Sequence, residues 1–328
     1  MAGLWIFVEH RDGAIRKVSM ELLSGGRKLA AALGEEMAAV LFGHQIDPMA
    51  EELAKRANKV YVIDDPLFQH YSADAYGESL ATLVREYDPS VILGGSTFIG
   101  RDLFPWLASR LATGYAADCT NIATGEDKAL IAKRPMYGGK VLADVTFPQA
   151  RPGMATVRPN VFPLKSLEGD ATGEVTRVEP KIDPATIRTK VEKVEKKTTG
   201  RVDLTEADVV VAAGRGIKGP ENFRIIEELA EVINATVGTT RAVVDNQWRD
   251  HDDQIGKSGK IISPKLYIAF GISGAIHHTM GIDTSKVIAA VDKNPNSLIF
   301  NYADYGIVGD LFQIVPALTA EFKKALSE

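Results

Sequence analysis

The chain has 328 residues, about twice the length of a typical domain, and its net charge of −5 argues against a nucleic-acid-binding protein, which needs a basic surface. Hydrophobic residues make up 45% of the chain and charged residues 25%, a balance that indicates a globular protein with a buried core. The single cysteine, Cys119, excludes a disulfide within the chain and leaves almost no basis for a cysteine-based metal or iron–sulfur site.

Short apolar runs alternate with amphipathic stretches over residues 1–111. Strands are predicted at residues 4–8, 37–42, 60–63 and 90–93, and helices at residues 20–33, 49–57, 73–87 and 101–111. Such alternation predicts parallel strands with helices on both faces of the sheet. The chain begins directly with a strand, lacks the features of a signal peptide and has no run of about 18 apolar residues. We therefore expect a cytoplasmic protein without a membrane span.

The pattern changes at residues 114–161, where Gly and Pro interrupt short β-like runs. This sequence pattern predicts an irregular or antiparallel addition at the edge of the first sheet. A linker is predicted from about residue 165, because Lys, Glu, Thr and Pro become frequent up to residue 201. Within it, residues 190–197 alternate charge with valine, which suits either a solvated linker with one exposed strand or a docking strand. The predicted domains are residues 1–200 and 201–328.

A second α/β unit starts near Asp208. Strands are predicted at residues 209–213, 265–270, 287–291 and 305–308, with another just before Gly238, and helices at residues 221–233 and 311–326. The sequence thus predicts an α/β protein of two domains. The N-terminal domain resembles nucleotide-binding α/β domains, and the C-terminal domain is a doubly wound parallel sheet.

Glycines and hydrogen-bonding residues follow the strands of the second domain, at the sheet edge where ligands bind in doubly wound folds. Two segments, residues 214–219 (GRGIKG) and 271–274 (GISG), would let backbone N–H groups approach a pyrophosphate. The pattern of the first alone favours a turn that closes a strand onto a helix over a phosphate-binding loop. An NAD site would place an acidic residue at the end of the next strand, but Thr239, Thr240 and Arg241 stand there.

Arg241 and His278 favour a flavin as the ligand. A reduced flavin carries negative charge near N1 and the C2 carbonyl, so a cation or hydrogen-bond donor there favours the reduced form. Ser258 is a candidate hydroxyl for flavin N5. From the residues alone, a surface salt bridge explains Arg241 equally well, and His277 and His278 also suit a helix surface or a packed interior.

Several longer stretches match a known family: residues 213–216 (AGRG), 254–260 (QIGKSGK), 264–278 (PKLYIAFGISGAIHH), 303–316 (ADYGIVGDLFQIVP), 113–121 (TGYAADCTN), 134–139 (RPMYGG) and 151–162 (RPGMATVRPNVF). Over nearly its whole length the chain strongly resembles the alpha subunit of electron-transfer flavoproteins. The resemblance implies a heterodimer with a smaller beta subunit, with FAD held in the alpha C-terminal domain. It also implies that the N-terminal domain and part of beta form a base on which the FAD-binding domain swivels.

The resemblance further implies where the site residues lie. Arg215 and Arg241 would lie near the flavin ring, Ser258 would face N5, and His278 would face the C2 carbonyl. The other cofactor-binding residues expected on this basis are Gln254, Gly271, Ser273 and Gly274 on the path from ring to phosphates, Asp292, Lys293 and Asp310 at the ribose or adenine end, and Gly214, Gly216, Thr240, Gly256, Lys257 and Ala275. Lys257 and Ser258 replace a frequent Gln-Thr pair, and Asp292 a common Asn; no catalytic or metal-binding residue is assigned.

The resulting hypothesis is an electron carrier rather than a stand-alone enzyme. FAD would carry electrons from a dehydrogenase or NADH to a second oxidoreductase, with flavin dehydrogenases of the acyl-CoA dehydrogenase type as donor or acceptor. One alternative is a subunit of an electron-bifurcating system that links NADH, ferredoxin and an acyl-CoA dehydrogenase. Another, since fold does not fix function, is a nucleotide-binding regulatory module.

Overall fold

The protein is described by a computed structural model that covers residues 3–125, 128–137, 139–164, 173–194 and 202–327. The chain divides into two compact units, Met1–Lys197 and Thr198–Glu328. Each unit contains its own parallel β-sheet and its own hydrophobic clusters. Among the described helices, none has the length and apolar character that a membrane crossing requires.

The first unit contains short strands and longer helices in alternation. Its described strands are β1 (Leu4–Val8), β2 (His10–Arg11), β3 (Ala14–Ile15), β4 (Met37–Gly43), β5 (Lys59–Asp64), β6 (Val91–Gly95), β7 (Tyr115–Cys119), β8 (Asn121–Thr124), β9 (Leu130–Met136), β10 (Val141–Thr146), β11 (Gly153–Val157) and β12 (Glu174–Arg177). Its described helices are α1 (Lys17–Leu33), α2 (Asp47–Ala54), α3 (Ala73–Tyr87) and α4 (Phe98–Leu111).

Seven described strands of this unit form one sheet in the order β12-β5-β4-β1-β6-β11-β7, and all its pairs are parallel. Along the central strand β1, successive side chains point to opposite faces. Leu4 and Ile6 enter the hydrophobic cluster that contains α1 and α2, whereas Trp5 and Phe7 enter the one that contains α3 and α4. Helices therefore pack on both faces, which confirms the predicted fold class for this unit.

The region of residues 114–161 contributes to two sheets. β8, β9 and β10 form a separate antiparallel sheet, as the Gly- and Pro-rich sequence pattern predicts. The expectation that the whole region is added at the edge is wrong for β11, which lies inside the main sheet and pairs in parallel with β6 and β7. All five residues of β11 are buried. The flanking Pro152 and Pro159 mark turns and hide this short strand in the sequence.

The stretch predicted as a linker contains the edge strand β12, which pairs in parallel with β5. Ion pairs hold this stretch to the first unit: Arg177 Nη2 lies 2.6 Å from Asp47 Oδ1, and Arg188 Nη2 lies 2.6 Å from Asp74 Oδ1. Residues 190–194 have no regular secondary structure. The rest of the charged run at 190–197, and residues 165–172 and 195–201, lie outside the described residues.

The second unit is a smaller α/β layer structure. Its described strands are β13 (Val209–Ala213), β14 (Thr236–Thr239), β15 (Leu266–Phe270), β16 (Ile288–Asp292) and β17 (Tyr305–Val308), and its described helices are α5 (Phe223–Val232), α6 (Arg241–Asp245), α7 (Ile276–Thr279) and α8 (Leu311–Ser327). The strands form a parallel sheet in the order β14-β13-β15-β16-β17. Hydrophobic clusters cover both faces, so the predicted doubly wound sheet is confirmed.

The order of these strands creates a switch point between β13 and β15. From β13 the chain moves first to β14 on one side and then crosses to β15 on the other side. Connections that leave in opposite directions open a crevice at the carboxyl ends of the two central strands, which is where doubly wound sheets bind ligands. The register pairs Ala213 with Phe270 as the last residues of β13 and β15, so the segments that follow both strands start side by side.

Candidate functional site

The carboxyl edge of the second sheet brings the predicted site residues together. Ala213 pairs with Thr239 and Phe270, and Asp292 pairs with Val308, so the strands end at a common level. The segments that leave this edge carry the predicted residues Gly214, Arg215, Gly216, Thr240, Arg241, Gly271, Ser273, Gly274, Ala275, Lys293 and Asp310. The loop of residues 254–260 joins the same edge, because the N–H of Ile255 donates to the oxygen of Thr239 over 2.9 Å.

The first glycine segment is bonded to the second. The N–H of Gly214 donates to Phe270 O over 2.9 Å, and the N–H of Gly216 donates to Gly271 O over 3.1 Å. A Cβ on Gly216 would lie 2.6 Å from the Cα of Gly271, so glycine is required here by the close approach of two backbones. These contacts support the alternative in which the segment closes the strand onto the fold. Cofactor contacts of Gly214 and Gly216 stay predictions.

The second glycine segment presents unpaired donors. Within the described residues, the backbone N–H groups of Ile272, Ser273, Gly274 and Ala275 donate to no protein acceptor. Carbonyl oxygens hold the segment instead: Ser273 O accepts from Ile299 N–H over 3.2 Å and from the Ser297 hydroxyl over 3.3 Å. Consecutive backbone N–H groups that are fixed in place and unpaired form an anion-binding concavity. Ile272 was not among the predicted residues, since its apolar side chain gives no signal for a backbone contact.

Residues 254–260 form a loop that is fastened at several points. Lys257 N–H donates to His277 O over 2.7 Å, and Lys260 N–H donates to Gln254 O over 2.7 Å. Gln254 is 3% exposed, and its Nε2 donates to the Ser258 hydroxyl over 3.0 Å. Gly256 packs against His277 O. The loop therefore presents Lys257 and Ser258, both exposed, from a fixed backbone.

His278 is buried and bonded within the protein on both sides of its ring. Nε2 lies 2.7 Å from the Tyr267 hydroxyl, and Nδ1 lies 3.2 Å from Ile255 O. Burial lowers the pKa of His278 from 6.5 to about 4, so the imidazole is neutral at neutral pH. The packed histidine that the sequence left open for His278 is therefore present, and its ring carries no positive charge at neutral pH. Its contact with a flavin C2 carbonyl stays a prediction.

The two predicted arginines lie at the surface of this edge. Arg241 begins α6 directly after Thr240, and its Nε lies 3.3 Å from Asp245 Oδ2 in an exposed ion pair. Arg215 is exposed and forms no ion pair with a described residue. The surface salt bridge that the sequence left open for Arg241 is therefore present, whereas Arg215 lies free of any described carboxylate.

The acidic residues at the far strands are engaged in local turns. Asp292 Oδ1 accepts from Asn294 N–H over 2.8 Å, and Asp310 Oδ1 accepts from Phe312 N–H over 3.0 Å. Gly309 N–H donates to Asp292 O over 3.1 Å, which joins the ends of β16 and β17. Lys293 is exposed beside Asp292. The three residues predicted for the ribose or adenine end are thus brought to neighbouring strand ends.

Fold and site define a two-unit α/β protein whose C-terminal sheet has a dinucleotide-binding edge. Two family models match the chain: "Electron transfer flavoprotein domain" over residues 4–183 and "Electron transfer flavoprotein FAD-binding domain" over residues 203–283. The chain belongs to the electron transfer flavoprotein alpha-subunit family, and its C-terminal unit is the FAD-binding domain of that family. The resemblance inferred from the sequence is therefore confirmed.

Named relatives match the chain over nearly its full length. The electron transfer flavoprotein subunit alpha of Thermoanaerobacterium thermosaccharolyticum is 46% identical over 322 residues, which cover 98% of each chain. Protein FixB of Clostridium saccharobutylicum is 42% identical, over 99% of this chain and 97% of the relative. A protein of Anaerotignum propionicum named acryloyl-CoA reductase electron transfer subunit beta is 39% identical, over 98% of this chain and 95% of the relative.

The donors at the sheet edge fit the cofactor of this family. FAD contains a pyrophosphate, and the N–H groups of residues 272–275, unpaired among the described residues, are of the kind that donates to such an anion. The charge of Arg215 and Lys293 at the same edge favours an anionic ligand.

Proposed function

We propose that this chain is the FAD-carrying subunit of a heterodimer with an electron-transfer flavoprotein beta subunit. The proposed complex passes electrons between a flavin dehydrogenase of the acyl-CoA dehydrogenase type and a second oxidoreductase. The family membership supports electron transfer through FAD, and the relative named for acryloyl-CoA reductase supports an acyl-CoA enzyme as partner. A cytoplasmic location stays a prediction from the sequence.

The observation that carries the proposal is the row of unpaired N–H groups at residues 272–275. In the proposed site these groups bind and orient the pyrophosphate, and the loop of residues 254–260 presents the Ser258 hydroxyl to the flavin edge. Arg215 and Arg241 add positive charge near the ring, which favours binding of an anionic ligand. When bound, FAD supplies the reversible electron storage; the protein supplies placement, charge and hydrogen bonds.

The test is co-expression with the beta subunit, followed by purification and cofactor analysis. We expect a yellow complex whose flavin is FAD, reducible by an acyl-CoA dehydrogenase with its substrate. A colourless complex would contradict the proposed site, and the regulatory alternative would then be favoured. The FAD content of the heterodimer separates the remaining two functions: one FAD per heterodimer supports the simple carrier, whereas a second FAD supports the bifurcating system.

Dependence on the beta subunit is tested with the isolated alpha chain. We expect it to bind FAD more weakly than the complex, because the flavin ring of the proposed complex lies near beta. Equal FAD affinity and equal redox potentials of the isolated chain and the complex would contradict this coupling. The measurement is the FAD dissociation constant, from flavin fluorescence, for both forms.

A further inference from the structure

Three buried groups form a short hydrogen-bond chain in the second unit. Tyr267 lies in β15 and is 0% exposed, and His278 lies in α7 and is 6% exposed. The Tyr267 hydroxyl lies 2.7 Å from His278 Nε2, and His278 Nδ1 lies 3.2 Å from Ile255 O. Buried this deeply, the two polar side chains depend on each other and on Ile255 O, rather than on water, for their hydrogen bonds.

The partners determine which ring nitrogen carries the proton. A carbonyl oxygen only accepts, so Nδ1 must donate its hydrogen to Ile255 O. In a neutral imidazole Nε2 is then an acceptor, and the Tyr267 O–H donates to it. The doubly protonated imidazole is disfavoured, because burial lowers the pKa of His278 to about 4. Burial also raises the pKa of Tyr267 above its usual value, so the hydroxyl keeps the proton that it donates to Nε2.

The imidazole connects three segments of the site. Tyr267 belongs to the strand that leads into the second glycine segment, and His278 belongs to the helix that follows this segment. Ile255 belongs to the loop that presents Ser258, and the same loop is fastened to α7 by the bond from Lys257 N–H to His277 O. A change of tautomer at His278 would remove the donor to Ile255 O and leave that buried oxygen without this partner.

We propose that Tyr267 is a positioning residue of the FAD-binding site, whose hydroxyl holds His278 as the neutral Nδ1–H tautomer and thereby anchors the loop of residues 254–260. The effect on FAD rests on the function proposed above; the tautomer is a property of the chain itself. On this basis the neutral His278 holds the loop that bears Ser258 and Lys257, whatever contact its ring makes with the flavin.

The direct test is ¹⁵N nuclear magnetic resonance of the holo heterodimer with labelled histidine at pH 7. The alpha chain has six histidines, and the His278 signals are assigned by their loss in His278→Gln. We expect a protonated Nδ1 and an unprotonated Nε2. An imidazolium, or the opposite tautomer with Nε2 protonated, would overturn the proposal, and this measurement needs no variant of Tyr267.

The second test compares Tyr267→Phe with Tyr76→Phe. Tyr76 is a matched control in the first unit, because its buried hydroxyl also donates one bond, to Phe68 O over 3.0 Å. We expect Tyr267→Phe to broaden or shift the Nε2 signal and to weaken FAD binding about threefold to tenfold, and Tyr76→Phe to do neither. An unchanged Nε2 signal and unchanged FAD affinity in Tyr267→Phe would overturn the positioning role. If the wild-type complex holds no FAD, the proposed function fails, while the tautomer is still decided by the spectrum.

Discussion

The N–H of Gly216 and the carbonyl oxygen of Gly271 form a 3.1 Å hydrogen bond that joins the two glycine segments of the FAD-binding domain. This bond lies at the switch point between β13 and β15, where a ligand crevice is expected. The N–H groups of Gly214 and Gly216 are used to close this point, whereas four N–H groups of the second segment stay unpaired among the described residues. Two similar sequence patterns therefore differ in how their backbone donors are used.

Replacement of Gly216 by alanine is expected to destabilise the second unit. The added Cβ would lie 2.6 Å from the Cα of Gly271, and a backbone neighbour cannot move aside as a side chain can. Overpacking of this kind costs about 1–3 kcal/mol, and FAD content should fall with it. The measurement is the thermal midpoint of the purified complex.

The matched control for this substitution is Gly309→Ala at another strand end of the same sheet. Its added Cβ meets the terminal carbon of the flexible Ile314 side chain at 2.7 Å, which can rotate away. We expect a thermal midpoint close to that of the wild type. Equal midpoints for Gly216→Ala and Gly309→Ala would show that the contact between the glycine segments is not required.

Replacement of Ala275 by proline removes one of the four unpaired donors while it keeps the backbone angle. Ala275 has φ −58°, close to the value that proline imposes, so the fold should tolerate the change. One hydrogen bond to a charged acceptor is lost, which should weaken FAD binding about tenfold to a hundredfold. Ala275→Val is the control, because it adds similar bulk and keeps the N–H. Equal FAD affinities for the two variants would contradict a pyrophosphate contact at this position.

Much of the second unit follows directly from its sequence pattern. The predicted strands at residues 209–213 and 305–308 coincide with β13 and β17, because each apolar run is bounded by residues that end a strand. β11 and β12 were not predicted, for opposite reasons. β11 is buried by long-range pairing with β6 and β7, whereas the polar β12 is defined only by its pairing with β5. Neither partner can be identified from local residues.

The location of the site was predictable, but the use of its polar groups was not. Parallel strands bring their carboxyl ends to one edge, so the sequence places the glycine segments together. Which N–H groups stay unpaired depends on the register of Gly216 against Gly271, which no local pattern encodes. The partner of Tyr267 was likewise hidden, although a tyrosine inside the apolar run LYIAF signals a buried hydroxyl that needs one.

The buried His278 should make the second unit sensitive to acid. Its pKa is lowered from 6.5 to about 4 by burial, so the unfolded chain binds a proton that the folded chain excludes between these values. The free energy of unfolding should therefore fall as the pH drops through this window, by an amount on the order of 3 kcal/mol. The measurement is urea-induced unfolding of the wild type and His278→Gln at several pH values. Glutamine can donate and accept hydrogen bonds but does not titrate. The same dependence of the free energy of unfolding on pH in both proteins would therefore contradict this prediction.

The ion pair between the buried Arg158 and the partly buried Asp118 should stabilise the first unit. Arg158 Nε and Nη2 donate to the two carboxylate oxygens of Asp118 over 2.8 and 2.9 Å. Burial alone would raise the pKa of Asp118, but the hydrogen bonds and charge of Arg158, with smaller contributions from Arg101 and Ser96, outweigh it and hold this pKa below its usual value. Arg158→Met leaves a partly buried carboxylate with only Arg101 and Ser96 beside it, which should destabilise the unit by about 1–3 kcal/mol at pH 7.

The effect of Arg158→Met should depend on pH in a defined direction. Because the pKa of Asp118 is lowered on folding, the pair stabilises the protein above the usual value of 3.8, and this stabilisation is lost as the pH falls below it. The difference in free energy of unfolding between wild type and variant, measured by urea unfolding with tryptophan fluorescence, should therefore shrink in acid. Arg177→Met is the control, since its ion pair with Asp47 is exposed and should leave the unfolding midpoint unchanged. A variant Arg158→Met as stable as this control would show that the pair only offsets the penalty of burying its two charges.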